Sequence, residues 1–196
     1  MIRAYFNEKA VIWDEIVAEK DEIKLERMAE SLDIESGSAL LDVGTGTGVF
    51  VPYLLRRIGR RGRLVTLDFA EEMLKRARAK NCNGNIEYLN ADVTNIPLRD
   101  EIFDIVVCYS SFPHFQDKPK SLNDISRVLK KGGRLVICHT SSRATINDIH
   151  HQIPVVQNDI IPGESEMQTM LSMAGFGGID ICDNGDSYLA SARKKR

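Results

Sequence analysis

The sequence lacks the features that mark several other classes of protein. Its four cysteines contain no C-x-x-C pair, so neither a zinc site nor a thiol redox motif is predicted. Residues 1–20 contain no uninterrupted apolar run of the kind that a signal peptide or a membrane span requires. Because 26 basic residues nearly balance 28 acidic ones, no net field would attract nucleic acid. We therefore expect a cytoplasmic protein that binds neither nucleic acid, membrane nor metal.

Length and composition predict a single domain. A chain of 196 residues with 43% hydrophobic content can bury one substantial core and is too short for two catalytic domains. Short apolar runs rich in Val, Ile and Leu alternate with amphipathic stretches, which is the pattern of a parallel sheet covered by helices. The predicted strands are residues 39–43, 63–67, 86–90, 103–109 and 134–139.

Helical spacing and turn residues complete this plan. Helices are predicted at residues 71–80, 121–130 and 164–174, and two more share residues 8–32. The pair Gly132-Gly133 is predicted to end the second of the three single helices. An insertion follows the fifth strand, at residues 141–163. The chain then closes with two strand-like runs, residues 178–182 and 187–192, and the Asn184-Gly185 between them is a strong hairpin signal.

The first predicted strand runs directly into a glycine-rich turn. Gly44, Gly46 and Gly48 alternate with threonines, and an apolar helix start follows. Such glycines let the backbone turn sharply and approach a ligand, while the next helix offers free N–H groups. A dinucleotide fingerprint would need G-x-G-x-x-G, but Gly48 comes too early and position 49 is Val. The turn therefore predicts a ligand site, and its spacing argues against NAD.

Asp42 followed by G-x-G-x-G resembles the first motif of the class I S-adenosylmethionine-dependent methyltransferases, in particular the small-molecule, type 11/25-like group. Further family signatures follow in order, at residues 103–107 and 129–135, so the resemblance covers roughly residues 38–196. It implies an α/β, Rossmann-like fold: a central, seven-stranded, mostly parallel sheet with a C-terminal antiparallel hairpin and helices on both faces. The implied reaction is in-line transfer of a methyl group from S-adenosyl-L-methionine to a small-molecule acceptor, leaving S-adenosyl-L-homocysteine.

The resemblance also assigns the cofactor site. The turn residues Gly44, Thr45, Gly46 and Gly48, with Asp42 before them, would hold the amino-acid end. Asp68, about twenty residues past the turn, would accept the ribose hydroxyls, although it could instead cap the next helix. The remaining residues that the resemblance places around the cofactor are Phe69, Met73, Asp92, Val93, Tyr109 and Ser110.

Two of these assignments have a structural alternative. Met73 could be ordinary core, because methionine fills irregular gaps in apolar interiors. Asp92 would read the adenine, but an aspartate ahead of a short irregular stretch also commonly makes a turn.

Candidate catalytic residues are the histidines that follow strands. If the acceptor carries a proton, a neutral histidine near the sulfonium could remove it. His139 ends the fifth strand and His114 follows the fourth, so both are catalytic candidates, while His150 in the insertion could face the acceptor. The alternative for each is a hydrogen-bonded core histidine, and no H-x-x-x-H spacing supports a metal.

Residues 1–35 look like the mobile lid of the family. Its aromatic residues Tyr5, Phe6 and Trp13 are candidates for the substrate pocket, although packing of the helices onto the domain would also account for them. Two other functions remain open on the sequence: a non-catalytic S-adenosylmethionine-binding regulatory or assembly protein, and an NAD(P)-dependent oxidoreductase. We expect a monomer or a homodimer.

Overall fold

The computed structural model describes residues 2–17 and 19–196, so two residues of the predicted lid, Met1 and Ala18, lie outside the described residues. The helices are α1 (Ile2–Lys9), α2 (Trp13–Ile16), α3 (Glu22–Ser31), α4 (Val51–Ile58), α5 (Glu71–Ala79), α6 (Lys118–Val128), α7 (Arg143–His151) and α8 (Glu164–Met173). The strands are β1 (Ala39–Val43), β2 (Arg63–Asp68), β3 (Ile86–Asn90), β4 (Phe103–Tyr109), β5 (Leu129–His139), β6 (Phe176–Asp183) and β7 (Tyr188–Lys194).

The seven strands form one sheet in the order β3-β2-β1-β4-β5-β7-β6. Neighbours among β1 to β5 are parallel, and β7 is antiparallel to both β5 and β6. The prediction of a mostly parallel sheet ending in an antiparallel hairpin is confirmed. Because the chain order reverses between β1 and β4, a crevice opens beyond the carboxyl ends of these two strands, which is where open α/β sheets bind ligands.

Helices cover both faces of the sheet, as predicted. Leu40 of β1 packs into a cluster with α3 and α4, while Leu41 and Val43 pack into a second cluster with α6 and α8. All three side chains are 0–1% exposed. Full burial of a leucine or valine stabilises the fold by about 1.5–3 kcal/mol relative to an exposed side chain. The two clusters therefore fix β1, and with it the turn that leaves its carboxyl end.

The predicted end of α6 is wrong. The helix ends at Val128, and Gly132-Gly133 lies inside β5 instead of terminating a helix at residue 130. The reason is that Leu129 is already extended and pairs with Phe103 on β4, with both side chains fully buried. The glycines occupy the irregular stretch before regular pairing resumes at Arg134.

The N-terminal segment also differs from its prediction, since it contains three helices where two were expected. α3 begins separately because the side chain of Asp21 accepts hydrogen bonds from the amides of Ile23 and Lys24, at 2.9 and 3.1 Å. Within the described part of the chain, every helix is too short or too polar to cross a bilayer.

Candidate active site

A cavity of about 860 Å³ opens at the carboxyl ends of the parallel strands. Its wall combines α1 and α2, the glycine turn after β1, the end of β2, the loops after β3 and β4, and the segment from the end of β5 to residue 156. All of the predicted site residues line it except Asp42 and Gly48. The topology thus brings together residues that lie far apart in the sequence.

All three glycines of the turn have left-handed backbone, with φ of +73° at Gly44, +55° at Gly46 and +79° at Gly48. A Cβ on Gly44 would come within 2.4 Å of the Cβ of Ser111, whose hydroxyl donates a hydrogen bond to the carbonyl of Val43 at 2.6 Å. A Cβ on Gly46 would meet nothing within 4 Å. Gly44 therefore allows β1 and the loop after β4 to approach closely, whereas Gly46 borders open space.

Asp68 is the carboxylate at the end of β2. It is buried, and its two oxygens accept hydrogen bonds from the amides of Gly46 and Ala70, each at 2.8 Å. Burial outweighs these hydrogen bonds and raises the pKa of Asp68 to about 6. The side chain stabilises the turn ahead of α5, and it also lies on the wall of the cavity.

Asp42, by contrast, is not part of the cavity wall and lies one residue before the end of β1. Its side chain is 2% exposed, and within residues 2–17 and 19–196 its Oδ2 has no hydrogen-bond partner. Burial, and to a smaller extent the nearby charge of Asp68, raises the pKa of Asp42 to about 7. Gly48 lies on the other side of the turn, where it packs against Ala77 of α5.

The structure shows the structural alternatives expected for Met73 and Asp92, and both residues still line the cavity. Met73 is 1% exposed and packs in the core cluster of α1 and α5. Asp92 makes a turn, in which its Oδ1 accepts hydrogen bonds from the amide and the hydroxyl of Thr94, each at 2.8 Å. The hydroxyl of Tyr109 forms a hydrogen bond with that of Thr140 at 3.1 Å.

Phe6 of α1 is the centre of an aromatic cluster at the cavity. Its ring centroid lies 5.0 Å from His114, 5.4 Å from Tyr5, 5.5 Å from Trp13 and 5.8 Å from Phe69. All four pairs have edge-to-face geometry, which the charge distribution of aromatic rings favours. These aromatic residues therefore attach α1 to the domain and at the same time form part of the cavity wall.

A polar contact that the sequence reasoning missed holds α2 against the glycine turn. Asp14 accepts a hydrogen bond from the hydroxyl of Thr47, and its other oxygen lies 2.8 Å from the ammonium nitrogen of Lys80 at the end of α5. No local pattern marks this contact, since Asp14 and Thr47 are 33 positions apart.

The three predicted histidines occupy different environments within one region of the wall. His139 is 2% exposed, and within the described residues neither of its ring nitrogens has a partner. Burial lowers its pKa to about 3, so its ring is neutral at ordinary pH. His114 and His150 lie with ring centroids 4.8 Å apart, and both contact Asp159, another residue that the sequence reasoning missed. In the part of the chain that the structure describes, no group of three or more His, Cys, Asp or Glu side chains is arranged to hold a metal ion.

Comparison with known proteins places the chain in a family. The family model described as "Methyltransferase domain" matches residues 41–137. The ubiquinone/menaquinone biosynthesis C-methyltransferase UbiE of Escherichia coli O1:K1 / APEC is 31% identical over 174 aligned positions, which cover 75% of this chain and 69% of that protein. The chain belongs to the class I S-adenosylmethionine-dependent methyltransferases. The UbiE of Idiomarina loihiensis is a further relative, 29% identical over the same shares of the two chains.

Solved structures of methyltransferases share the fold. A SAM-dependent methyltransferase from Aquifex aeolicus superposes with a TM-score of 0.77 at 24% identity, over 96% of this chain and 98% of that chain. A phosphoethanolamine N-methyltransferase 2 from Haemonchus contortus, solved with S-adenosyl-L-methionine, has a TM-score of 0.75 at 14% identity, over 97% of this chain and 57% of that chain. As a member of this family, the methyltransferase uses S-adenosyl-L-methionine, and the family does not favour the oxidoreductase or the non-catalytic alternative.

Part of the cavity wall, from segments that follow β4 and β5, is apolar. It is formed by Phe115 after β4, Ile146 and Ile149 of α7, and Ile153 and Val156 beyond that helix. The sequence reasoning did not assign these residues to the site. The spacing of Ile146 and Ile149 was the available signal, because residues three positions apart lie on one side of a helix.

Proposed function

We propose that this methyltransferase transfers a methyl group to a small, largely apolar aromatic acceptor, held between α1, the loop after β4 and α7. The observation that carries the proposal is the composition of the cavity wall. The segments after β1 and β2 contribute the glycine turn and the carboxylate of Asp68, and those after β4 and β5 contribute isoleucine, valine and phenylalanine side chains together with His114 and His150.

The residues around the turn fit S-adenosyl-L-methionine. The open space beside Gly46 leaves room for a ligand against the backbone, where a larger residue would project. Asp68 keeps lone pairs beyond its two backbone hydrogen bonds and would accept the ribose hydroxyls. The adenine would be surrounded by Phe69, Met73, Asp92 and Val93. The remaining turn residues, together with Tyr109 and Ser110, would complete the cofactor site. Asp42 and Gly48 would support it from behind the cavity wall.

For methyl transfer, the main tasks of the protein are to position the acceptor and to keep water out of the active site. Bound S-adenosyl-L-methionine supplies a methyl group on a positively charged sulfur, which an in-line nucleophile can displace. The enzyme has to hold the acceptor atom about 3–3.5 Å from that carbon and exclude water. Residues 1–35 would act as a lid that excludes water, with Tyr5, Phe6 and Trp13 over the site, and the insertion at residues 141–163 would cover the acceptor. We further propose that both segments belong to one domain.

Ring acceptors are the first class to test. The names of the UbiE relatives refer to ubiquinone and menaquinone biosynthesis and to C-methylation. Reduced quinones are flat, apolar rings with ionisable hydroxyls, which suits a wall of aliphatic and aromatic side chains interrupted by histidines. A zwitterionic acceptor such as phosphoethanolamine would leave this apolar wall without a complementary surface, so it provides the polar comparison.

The test combines binding and turnover. Calorimetry with S-adenosyl-L-homocysteine and with NAD measures cofactor choice, and we expect binding of the former alone. Transfer of a labelled methyl group is then measured with a benzohydroquinone, a naphthohydroquinone and phosphoethanolamine. Labelling of a hydroquinone supports the proposal. Labelling of phosphoethanolamine alone, or binding without transfer to any ring acceptor, would overturn the proposed acceptor class.

A further inference from the structure

Asp159 contacts two histidines of the cavity wall at once. Its Oδ2 lies 2.9 Å from Nδ1 of His114, and its backbone carbonyl accepts a hydrogen bond from Nδ1 of His150. The side chains of Asp159 and His114 are only 13% and 14% exposed, so little water competes for the pair. Gln116 adds a weaker contact, since its amide nitrogen lies 3.4 Å from Oδ1 of Asp159.

These contacts determine which ring nitrogen carries the proton. A carbonyl oxygen can only accept, so Nδ1 of His150 must donate; an ionised carboxylate likewise requires a donor at Nδ1 of His114. In the neutral form, each ring is therefore left with a lone pair on Nε2. Nε2 of His114 has no hydrogen-bond partner among the described residues. Unlike both ring nitrogens of His139, this atom is not fully buried.

Only one of the three histidines is suited to accept a proton. Burial lowers the pKa of His139 to about 3, and burial is also the main cause that lowers the pKa of His150. Neither of these rings has a side-chain carboxylate as hydrogen-bond partner in the described structure, whereas His114 has Asp159. A buried imidazolium without a counter-charge is strongly disfavoured, so a proton entering this region is best held on His114.

We infer that Asp159 is a positioning residue, which orients His114 so that Nε2 takes a proton from an ionisable hydroxyl of the methyl acceptor. The O–H bond of the acceptor breaks and its electron pair stays on oxygen, while the proton forms a bond with the Nε2 lone pair. The resulting imidazolium is balanced by the carboxylate of Asp159. The inference rests on the proposed function for the acceptor's position, and it narrows the acceptor to phenol-like compounds.

Other charged groups face this pair and contribute to its pH dependence. His139 and His150 lie near His114, and a positive charge on either ring would disfavour a positive charge on His114. Lys118 faces Asp159 from α6, where its ammonium donates to the carbonyls of Pro113 and Phe115, and it also interacts with Glu166 of α8. Asp117, which caps α6, and Lys120, in the first turn of that helix, also line the cavity.

The primary test is the protonation state of His114, read by ¹⁵N NMR of the imidazole rings of the full chain. H114Q assigns the signals. We expect the Nδ1–H form in the wild type, and we expect D159N to lower the proton affinity of His114 by about tenfold, because an opposite charge at hydrogen-bonding distance shifts such equilibria by this order or more. D148N removes a carboxylate from the exposed side of α7 and is the matched control, which we expect to leave His114 unchanged.

Two outcomes would overturn the inference: the Nε2–H form at His114 in the wild type, which requires no variant, or equal titration of His114 in D159N and the wild type. With a hydroquinone acceptor, the acidic limb of kcat/KM should move to lower pH in D159N, because a base of lower proton affinity is neutral at lower pH. D159E should restore the wild-type limb in part. Calorimetry with S-adenosyl-L-homocysteine is scored separately, so loss of cofactor binding counts against the proposed function and loss of the titration shift counts against Asp159.

Discussion

The amide of Gly46 donates a hydrogen bond to Oδ2 of Asp68 at 2.8 Å, and this bond ties the turn after β1 to the end of β2. The carboxylate is buried, and its other oxygen is held by the amide of Ala70. A charged acceptor in this position is fixed before any ligand arrives, so little ordering is required when hydroxyl groups bind to it.

Replacing Asp68 by alanine should weaken binding of S-adenosyl-L-homocysteine by roughly ten- to a hundredfold or more, because a hydrogen bond to a charged group contributes about 1.5–3 kcal/mol. Calorimetry measures the change, with the exposed Glu71→Ala at the start of α5 as the control. Since the pKa of Asp68 is raised to about 6, affinity in the wild type should also fall as the pH drops through 6 and the carboxyl group is protonated. An unchanged affinity in the alanine variant would remove Asp68 from the cofactor site.

The neighbouring glycines should respond differently to alanine. Both positions have left-handed backbone, which costs an L-residue about 1–2 kcal/mol. Gly44→Ala adds a clash with Ser111 and should destabilise the fold by roughly 3 kcal/mol or more, whereas Gly46→Ala meets no neighbour and should mainly reduce cofactor affinity. Chemical unfolding and calorimetry on the pair separate the two effects. Equal loss of stability in both would contradict the open space inferred at Gly46.

Asp42 should make stability depend on pH. Its pKa is raised to about 7 in the folded protein, chiefly by burial, from a usual value of 3.8. The folded state therefore holds the proton more tightly, and stability is lost as the pH rises through 7. Asp42→Asn has no proton to lose, so this loss is absent in the variant. Relative to the wild type, the free energy of unfolding of the variant should therefore rise by on the order of 1–4 kcal/mol from pH 4 to pH 8, since one pKa unit corresponds to about 1.4 kcal/mol.

Urea unfolding at pH 4 and pH 8 provides the measurement for Asp42. Asp186→Asn in the exposed β6–β7 turn is the matched control, and its difference from the wild type should not change between these two pH values. A difference between Asp42→Asn and the wild type that stays constant with pH would show that the carboxyl group titrates normally in the folded state.

The sheet could be predicted because its evidence is local. β4 has the bounds expected from its unbroken apolar run, and the Asn184-Gly185 turn does lie between the last two strands. The position of Asp68 at a strand end followed from the same pattern. The pattern could not predict how deeply each strand residue is buried. Because β1 is covered by helices on both faces, its sequence does not alternate between polar and apolar residues, and nothing in it indicates that Asp42 lies outside the cavity wall.

The acceptor side of the site depends on contacts between loops, and these have no local signature. His114 and Asp159 are 45 positions apart, and each lies outside the strands. The sequence identified the histidine by its place after β4 but offered no reason to select this one aspartate among the acidic residues. Which single polar side chains pair with each other is determined by the packed tertiary structure, whereas helical and strand periodicity can be recognised in the sequence itself.

The contact of Asp14 with Thr47 and Lys80 should control how long the cofactor stays bound, if residues 1–35 act as a lid. Exposed pairs of this kind contribute about 0.2–1 kcal/mol, so Asp14→Ala should raise the dissociation rate of S-adenosyl-L-homocysteine by roughly two- to fivefold. Trp13 is the only tryptophan, and it lies beside Asp14 in α2, so stopped-flow fluorescence can follow the change. Glu15→Ala, one position along, is the control. Because salt screens the ion pair between Asp14 and Lys80, 1 M salt should accelerate release of S-adenosyl-L-homocysteine from the wild type and have less effect on Asp14→Ala.

Equal dissociation rates in Asp14→Ala, Glu15→Ala and the wild type would mean that α2 does not retain the ligand.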